Sequence, residues 1–178
     1  LPHGILTAEQ LLKIYQDCPE KYPEDKVMVG LMVFQGLRQR EMARLQAADF
    51  DLEKMQVFVV GDKRTASRYI LLNHHQLPCL KNQLQQRVYL LEKDVKYHVN
   101  RLTPYLNRHV ESLRQLRASV ITNWFKSYNL RETQYLAGHK YISTTEKYQK
   151  VRPEALQKAV EMYHPLGDNK KQNGGENE

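Results

Sequence analysis

Cysteine is scarce in this sequence: Cys18 and Cys79 are the only two, far apart, with no CxxC pair and no Cys/His spacing suited to a metal. A disulfide framework and a cysteine-built zinc site are thereby excluded, and a reducing interior suits the two thiols best. No apolar run approaches the roughly 20 residues of a membrane-spanning helix. The opening residues carry no secretory pattern, and no internal repeat or low-complexity linker interrupts the chain before its last residues. A cytosolic protein is the expectation. Acidic residues are in deficit as well: 20 Asp and Glu against 27 Lys and Arg leave a net charge of +7 and a pI near 9.3. That balance favours a polyanionic partner, most often nucleic acid, although a merely solubilising surface would carry the same charge. What is present is ordinary apolar content over 178 residues, enough for one buried core and one main domain.

Taken in order, the chain opens with a helix signal. Thr7 followed three residues later by Gln10 is a capping-box pattern, and Leu11, Leu12 and Tyr15 then form one apolar face. From about Pro23 to Gln35 the residues Val27, Met28, Val29, Leu31, Met32, Val33 and Phe34 are apolar nearly all round, so this helix belongs in the core. Gly36 stops it. The following Leu37-Arg38-Gln39-Arg40-Glu41 leads into a short helix through Leu45, placing Arg38 at a helix junction, where an arginine often caps carbonyls or pairs with a neighbour such as Glu41.

Between Asp49 and Leu72 the period becomes strand-like. Val57 to Val60 and Tyr69 to Leu72 read as two strands of a hairpin whose polar turn, starting at Gly61-Asp62, holds Lys63 and Arg64. Its tip reaches a phosphate or a groove on one reading; on the other, its lysines only keep it soluble. Helical spacing returns from about His74 to Gln86, along Leu77, Leu80 and Leu84, then fades from Arg87 to Lys96. It returns from Leu102 to Val110, with Pro104 expected in a first turn.

The stretch from Arg114 to Tyr148 is the most informative. Val120, Ile121, Trp124, Phe125 and Tyr128 lie at helical spacing and are expected to pack into the core. Arg114 and Arg117, three residues apart at or just before the start of that helix, are placed to share one phosphate, helped by the free N–H groups of the first turn. A short helix from Glu132 to Ala137 is stopped by Gly138, which displays His139 just past the helix end. Ser143-Thr144-Thr145-Glu146 then starts a helix carrying Tyr148. A lone histidine after a glycine is usually structural and a lone tyrosine usually half-buried packing. Arginines, an imidazole and a phenol together are the tools of metal-free phosphate chemistry.

Three of these segments, in this order, resemble one family. Gly36-Leu37-Arg38-Gln39-Arg40-Glu41 resembles the first arginine box of the tyrosine recombinases, the phage-integrase family; Leu116-Arg117-Ala118-Ser119 resembles the second. Leu136-Ala137-Gly138-His139, Ile142-Ser143-Thr144-Thr145 and Tyr148 resemble its ending. The resemblance covers roughly Thr7 to Tyr148. It implies a catalytic-domain fold, mainly α with a small antiparallel β-sheet, and chemistry like that of type IB topoisomerases. On that resemblance Tyr148 attacks a DNA phosphodiester to leave a 3′-phosphotyrosyl link, while Arg38 and Arg117 hold the non-bridging oxygens. Lys63 protonates the leaving 5′-oxygen and His139 donates to the same phosphate. Neither ATP nor a metal is required, because the phosphotyrosine keeps the bond energy.

The chain departs from the family pattern twice. Arg114 stands where the family most often has histidine, and an arginine cannot act as a general base. The Gly61-Asp62-Lys63-Arg64 turn fits the family's lysine turn only loosely, leaving Arg64 and Lys54 as substitutes for Lys63.

After Tyr148, Pro153 opens a segment in which Leu156, Ala159, Val160 and Tyr163 form an apolar stripe. The stripe suits packing on a neighbouring copy on DNA or folding back on its own domain. Residues 1–166 are expected to form the catalytic domain and 167–178, polar throughout, a disordered tail. Few residues precede the first helix and the chain begins at Leu1, which suggests a catalytic-domain fragment of a longer protein or a minimal recombinase. The expectation is therefore site-specific breakage and rejoining of double-stranded DNA, in the bacterial cytoplasm and on the nucleoid when DNA-bound. A non-catalytic DNA-binding module, a protein-interaction domain and a topoisomerase-like relaxing activity are the alternatives.

Overall fold

A computed structural model describes residues 4–86, 90–91 and 94–149. Eight helices and one small sheet are seen among them, and no helix among them is long and apolar enough to cross a membrane. The fold is mainly α with a three-stranded antiparallel sheet, as expected.

Helix α1 (Ala8–Gln16) begins at Thr7, whose side chain accepts from Gln10 N while the Gln10 side chain accepts from Thr7 N. This satisfies two of the N–H groups that a helix start leaves free. Helix α2 (Pro23–Val33) is the centre of the molecule. Every residue from Val27 to Val33 is buried, and α1, α4 (Leu77–Gln86), α5 (Val95–Leu106) and α6 (Leu113–Trp124) all pack on it. Gly36 at φ +59 turns the chain out of α2, a left-handed conformation that favours glycine. It delivers Arg38 to the N-cap position of the short helix α3 (Gln39–Met42).

The sheet runs in the order β1 (Phe50–Asp51), β2 (Gln56–Val59), β3 (Arg68–Leu71), with Val57 opposite Ile70 and Val59 opposite Arg68. Alternation is strict. Val57, Val59, Arg68 and Ile70 face the core; Tyr69 and Leu71 are exposed. The hairpin is as read from the sequence, except that Val60 and Leu72 lie outside their strands, Arg68 lies inside β3, and the two-residue β1 was too short to show a period.

Three helices differ from expectation. Helix α3 ends at Met42, short of Leu45. Helix α5 begins at Asp94, whose carboxylate accepts from Tyr97 N, and buries Val95, Val99, Leu102 and Leu106 along one stripe. Pro104 thus sits in its last turn, not its first. There the proline deprives only the Asn100 carbonyl of an N–H partner, which a helix tolerates near its end. Helix α6 stops at Trp124, leaving Tyr128 beyond it and 37% exposed rather than in the core. Helices α7 (Leu130–Ala137) and α8 (Ile142–Gln149) complete the described chain. The apolar stripe from Leu156 to Tyr163 and the polar tail lie outside the described residues.

Candidate active site

The site is built around a buried carboxylate. Glu41, on α3 and only 2% exposed, accepts from the Arg38 amide at 2.9 Å through one oxygen and from Arg68 Nη1 at 2.8 Å through the other. Arg117 Nη1 approaches the first of these oxygens at 3.7 Å. Burial pushes the Glu41 carboxyl up, but the hydrogen bond and charge of Arg68, the Arg38 amide and the charge of Arg117 outweigh it and hold the group below its ordinary value.

Arg68 is the residue that sequence reasoning missed. It takes a core-facing position on β3, 1% exposed, and donates through Nε to the Leu136 carbonyl at 2.7 Å. That bond ties the sheet to the end of α7. Gly138, at φ +66, continues the contact: a Cβ there would lie 2.4 Å from Arg68 Nη1. The signal was available in the strand alternation, which puts an arginine at an inward position, where a charge needs a buried partner.

Arg117 is the fifth residue of α6, and Arg114 the second, so both lie inside the helix begun by Ser112 rather than before it. Arg117 is buried and donates to two carbonyls that end helices: Gly36 at 2.6 Å and Ala137 at 2.7 Å. Its Nη2 also lies 3.4 Å from His139 Nε2, and its Nε, though buried, has no hydrogen-bond partner among the described residues. Burial first, and then the charge of Arg38, pulls its pKa down to about 10, which still leaves it charged at neutral pH. The phenol of Tyr148 is near enough to act on Arg117 in the opposite sense.

His139 follows the helix end as expected, but it is buried rather than displayed. Its Nδ1 lies 2.9 Å from Thr145 Oγ1, and Tyr148 stacks on its ring with centroids 5.7 Å apart and planes inclined by 17°. Burial, and then the charges of Arg117, Arg38 and Arg68, holds the imidazole down to about 3, so it is neutral at physiological pH. Tyr148 is half-buried against Ile121, Phe125 and Ala137, and its hydroxyl has no hydrogen-bond partner among the described residues.

The β2–β3 turn comes in over the site. Asp62 Oδ1 accepts from Arg64 N, Thr65 N and Thr65 Oγ1, which folds the turn on itself. Thr65 bridges to His139, Ala66 N donates to the Gly138 carbonyl, and Lys140 Nζ donates to the Lys63 carbonyl at 3.0 Å. Lys63 is therefore not at a free hairpin tip. It lines one cleft of about 960 Å³ together with Arg38, Arg40, Arg64, Arg114, Arg117 and His139. Lys54 does not line that cleft and pairs with Asp51 at 3.2 Å. Tyr148 is not among the lining residues either; it lies behind His139.

Among the described residues no hydrogen bond or ion pair engages the guanidinium of Arg38 or Arg114, or the amine of Lys63, and no group of His, Cys, Asp and Glu is placed to hold a metal. The cleft thus gathers fixed positive charge, unused N–H donors and a neutral imidazole beside a phenol. Such a set can hold a tetrahedral anion and stabilise charge that grows on it.

Residues 5–155 match the Phage integrase family. The chain belongs to that family. Tyrosine recombinase XerA of Thermococcus onnurineus is 29% identical over 172 residues, covering 88% of this chain and 61% of the relative. Tyrosine recombinase XerC of Mannheimia succiniciproducens is 29% identical over 192 residues, covering 96% of this chain and 64% of the relative. The chain thus spans about three-fifths of the length of these curated relatives. Among solved structures, a XerA recombinase superposes with a TM-score of 0.68 at 18% identity, covering 93% of this chain and 67% of that one. The XerH site-specific recombinase bound to a palindromic difH substrate superposes with a TM-score of 0.68 at 22% identity, covering 89% and 52%. At these identities the superpositions establish a shared fold.

Glu41 offers a direct test of the network. Its folded pKa lies below its ordinary value of 4.5, so its stabilising contribution is complete above that pH and is lost as pH falls through the folded value. Glu41→Gln should lose about 3 kcal/mol at neutral pH. Its stability should also fall less than the parent's on acidification below 4.5. Urea denaturation across that pH range measures both.

Proposed function

We propose that this chain is the catalytic domain of a site-specific DNA recombinase that cuts and rejoins double-stranded DNA through a 3′-phosphotyrosyl intermediate. The observation that carries the reading is the convergence of Arg38, Arg117, His139 and Lys63 on one cleft, with Tyr148 stacked on His139. The names of the relatives, tyrosine recombinases all, support the same reaction class.

The scissile phosphate enters between Arg38, whose guanidinium is unengaged, and Arg117, whose Nε is an unsatisfied buried donor. The Tyr148 oxygen must move from behind His139 to reach phosphorus; it then attacks, the bond to the 5′-oxygen breaks, and Lys63 supplies the proton to that oxygen. The phenol's own proton leaves to water. Arginine suits the first two positions because its planar fork meets two oxygens and keeps its charge as the phosphorane forms. His139, neutral, donates one hydrogen bond to the same phosphate. Rejoining is the reverse attack by another 5′-hydroxyl, so neither ATP nor a metal takes part.

Arg114 holds the DNA backbone in this account and removes no proton. Its exposed position on the cleft rim fits that role, and it is also the observation that favours a second reading, a catalytically impaired DNA-binding module of the same fold. The stripe Leu156, Ala159, Val160 and Tyr163 is assigned to contact between copies on DNA, a role that rests on its sequence pattern. We infer from this reaction class that the chain acts in the cytoplasm, on the bacterial nucleoid.

Tyr148→Phe should abolish the covalent adduct on a nicked suicide substrate drawn from a pooled DNA library and leave DNA binding nearly intact. An adduct from that variant would remove Tyr148 as the nucleophile, and no adduct from the parent despite salt-sensitive binding would favour the impaired module. Arg114→Ala should weaken binding to all sequences alike and lower the slope of log affinity against log salt by about 1.

A further inference from the structure

Helix α8 brings a second hydroxyl to the site that the proposed chemistry leaves unused. Thr145 is fully buried, and the one hydrogen bond of its hydroxyl among the described residues is with His139 Nδ1. On the other side of the ring, Arg117 Nη2 points at Nε2. A guanidinium donates and never accepts. The neutral ring therefore presents its lone pair at Nε2 and carries its proton on Nδ1, which donates to Thr145 Oγ1. The non-bridging oxygen of a phosphodiester is also only an acceptor, so a His139 that donates to it needs the proton on Nε2 instead.

We propose that Thr145 is the positioning residue for this exchange: its hydroxyl accepts from the Nδ1–H form of His139 in the DNA-free protein and turns to donate to Nδ1 when a phosphate takes the Nε2–H form. The inference rests on the reading that His139 meets the phosphate. The exchange is neutral overall: the ring loses one proton at Nδ1 and gains one at Nε2, with water as the carrier, and the phosphate oxygen replaces the ring as the group facing the Arg117 N–H. A hydroxyl is suited to the place because it can be donor or acceptor by rotation about one bond. An amide or carboxylate would fix one role. The partner of one ring nitrogen thereby sets the protonation of the other.

The test is nitrogen NMR of the whole chain with ¹⁵N-histidine, the His139 signals being assigned by their loss in His139→Asn, with dimethyl phosphate, a diester that has no O–H to donate, as the probe. The free protein should show the Nδ1–H pattern, and excess dimethyl phosphate should shift it to the Nε2–H pattern. Thr145→Ser should keep that shift and Thr145→Val should lose it, with a matching loss of adduct formation in the Val variant only. Circular dichroism of each variant separates this from simple unfolding. An Nε2–H ring in the free protein overturns the inference, as does a Thr145→Val protein that shifts like the parent; in both cases His139 can still meet the phosphate. A parent ring that stays Nδ1–H with dimethyl phosphate bound overturns the inference and that reading together.

Discussion

The buried Glu41 carboxylate is the constraint on which the site depends. Removed from water, it must be paired, and its partners come from three separate parts of the chain: the Arg38 amide at the start of α3, Arg68 on β3, and Arg117 on α6. Satisfying one acid therefore brings a sheet, a helix junction and a second helix to one point. Arg68 extends the tie to the last turn of α7 through the Leu136 carbonyl. Arg117 reaches the ends of α2 and α7 through Gly36 and Ala137. Two of the glycines with left-handed backbone, Gly36 and Gly138, stand where these arginines close on helix ends. The carboxylate neutralises part of the charge, but two guanidiniums, of Arg68 and Arg117, share it, and that of Arg38 adds to them without an ion pair among the described residues. The surplus is what the cleft presents to an anion.

The same excess governs His139. Three nearby arginines and burial keep the imidazole neutral, so it contributes a directed hydrogen bond and no charge. Its face is covered by Tyr148, which is held on the other side by Ile121, Phe125 and Ala137. Packing and electrostatics are thus joined at one ring. The position of Tyr148 depends on the small apolar cluster at the end of α6, and the ring's hydrogen bond to Thr145 depends on α8.

Much of this was legible in the residues. The capping box at Thr7, the apolar run of α2 from Val27 to Val33, the hairpin and the Gly138 stop rest on local signals, and each is found close to where its chemistry predicts. Arg38, Arg117, His139 and Lys63 were picked out by motif, and the fold brings them to one cleft. What the sequence hid was non-local. Arg68 and Glu41 are ordinary polar residues until the fold places one opposite the other at 2.8 Å. The start of α5 was obscured because Pro104 mimics a first-turn proline and because Asp94 caps the helix from within an aperiodic stretch. The burial of His139 likewise arises from the β2–β3 turn folding over it, which no spacing announces.

A crystal structure of the chain with inorganic phosphate tests the account most directly. The anion should lie within hydrogen-bonding distance of the Arg38 guanidinium and Arg117 Nε, with His139 beside it and Glu41 still bound to Arg68. An anion held by Arg40 and Arg114 alone, with Arg117 Nε still without a partner, would contradict the account.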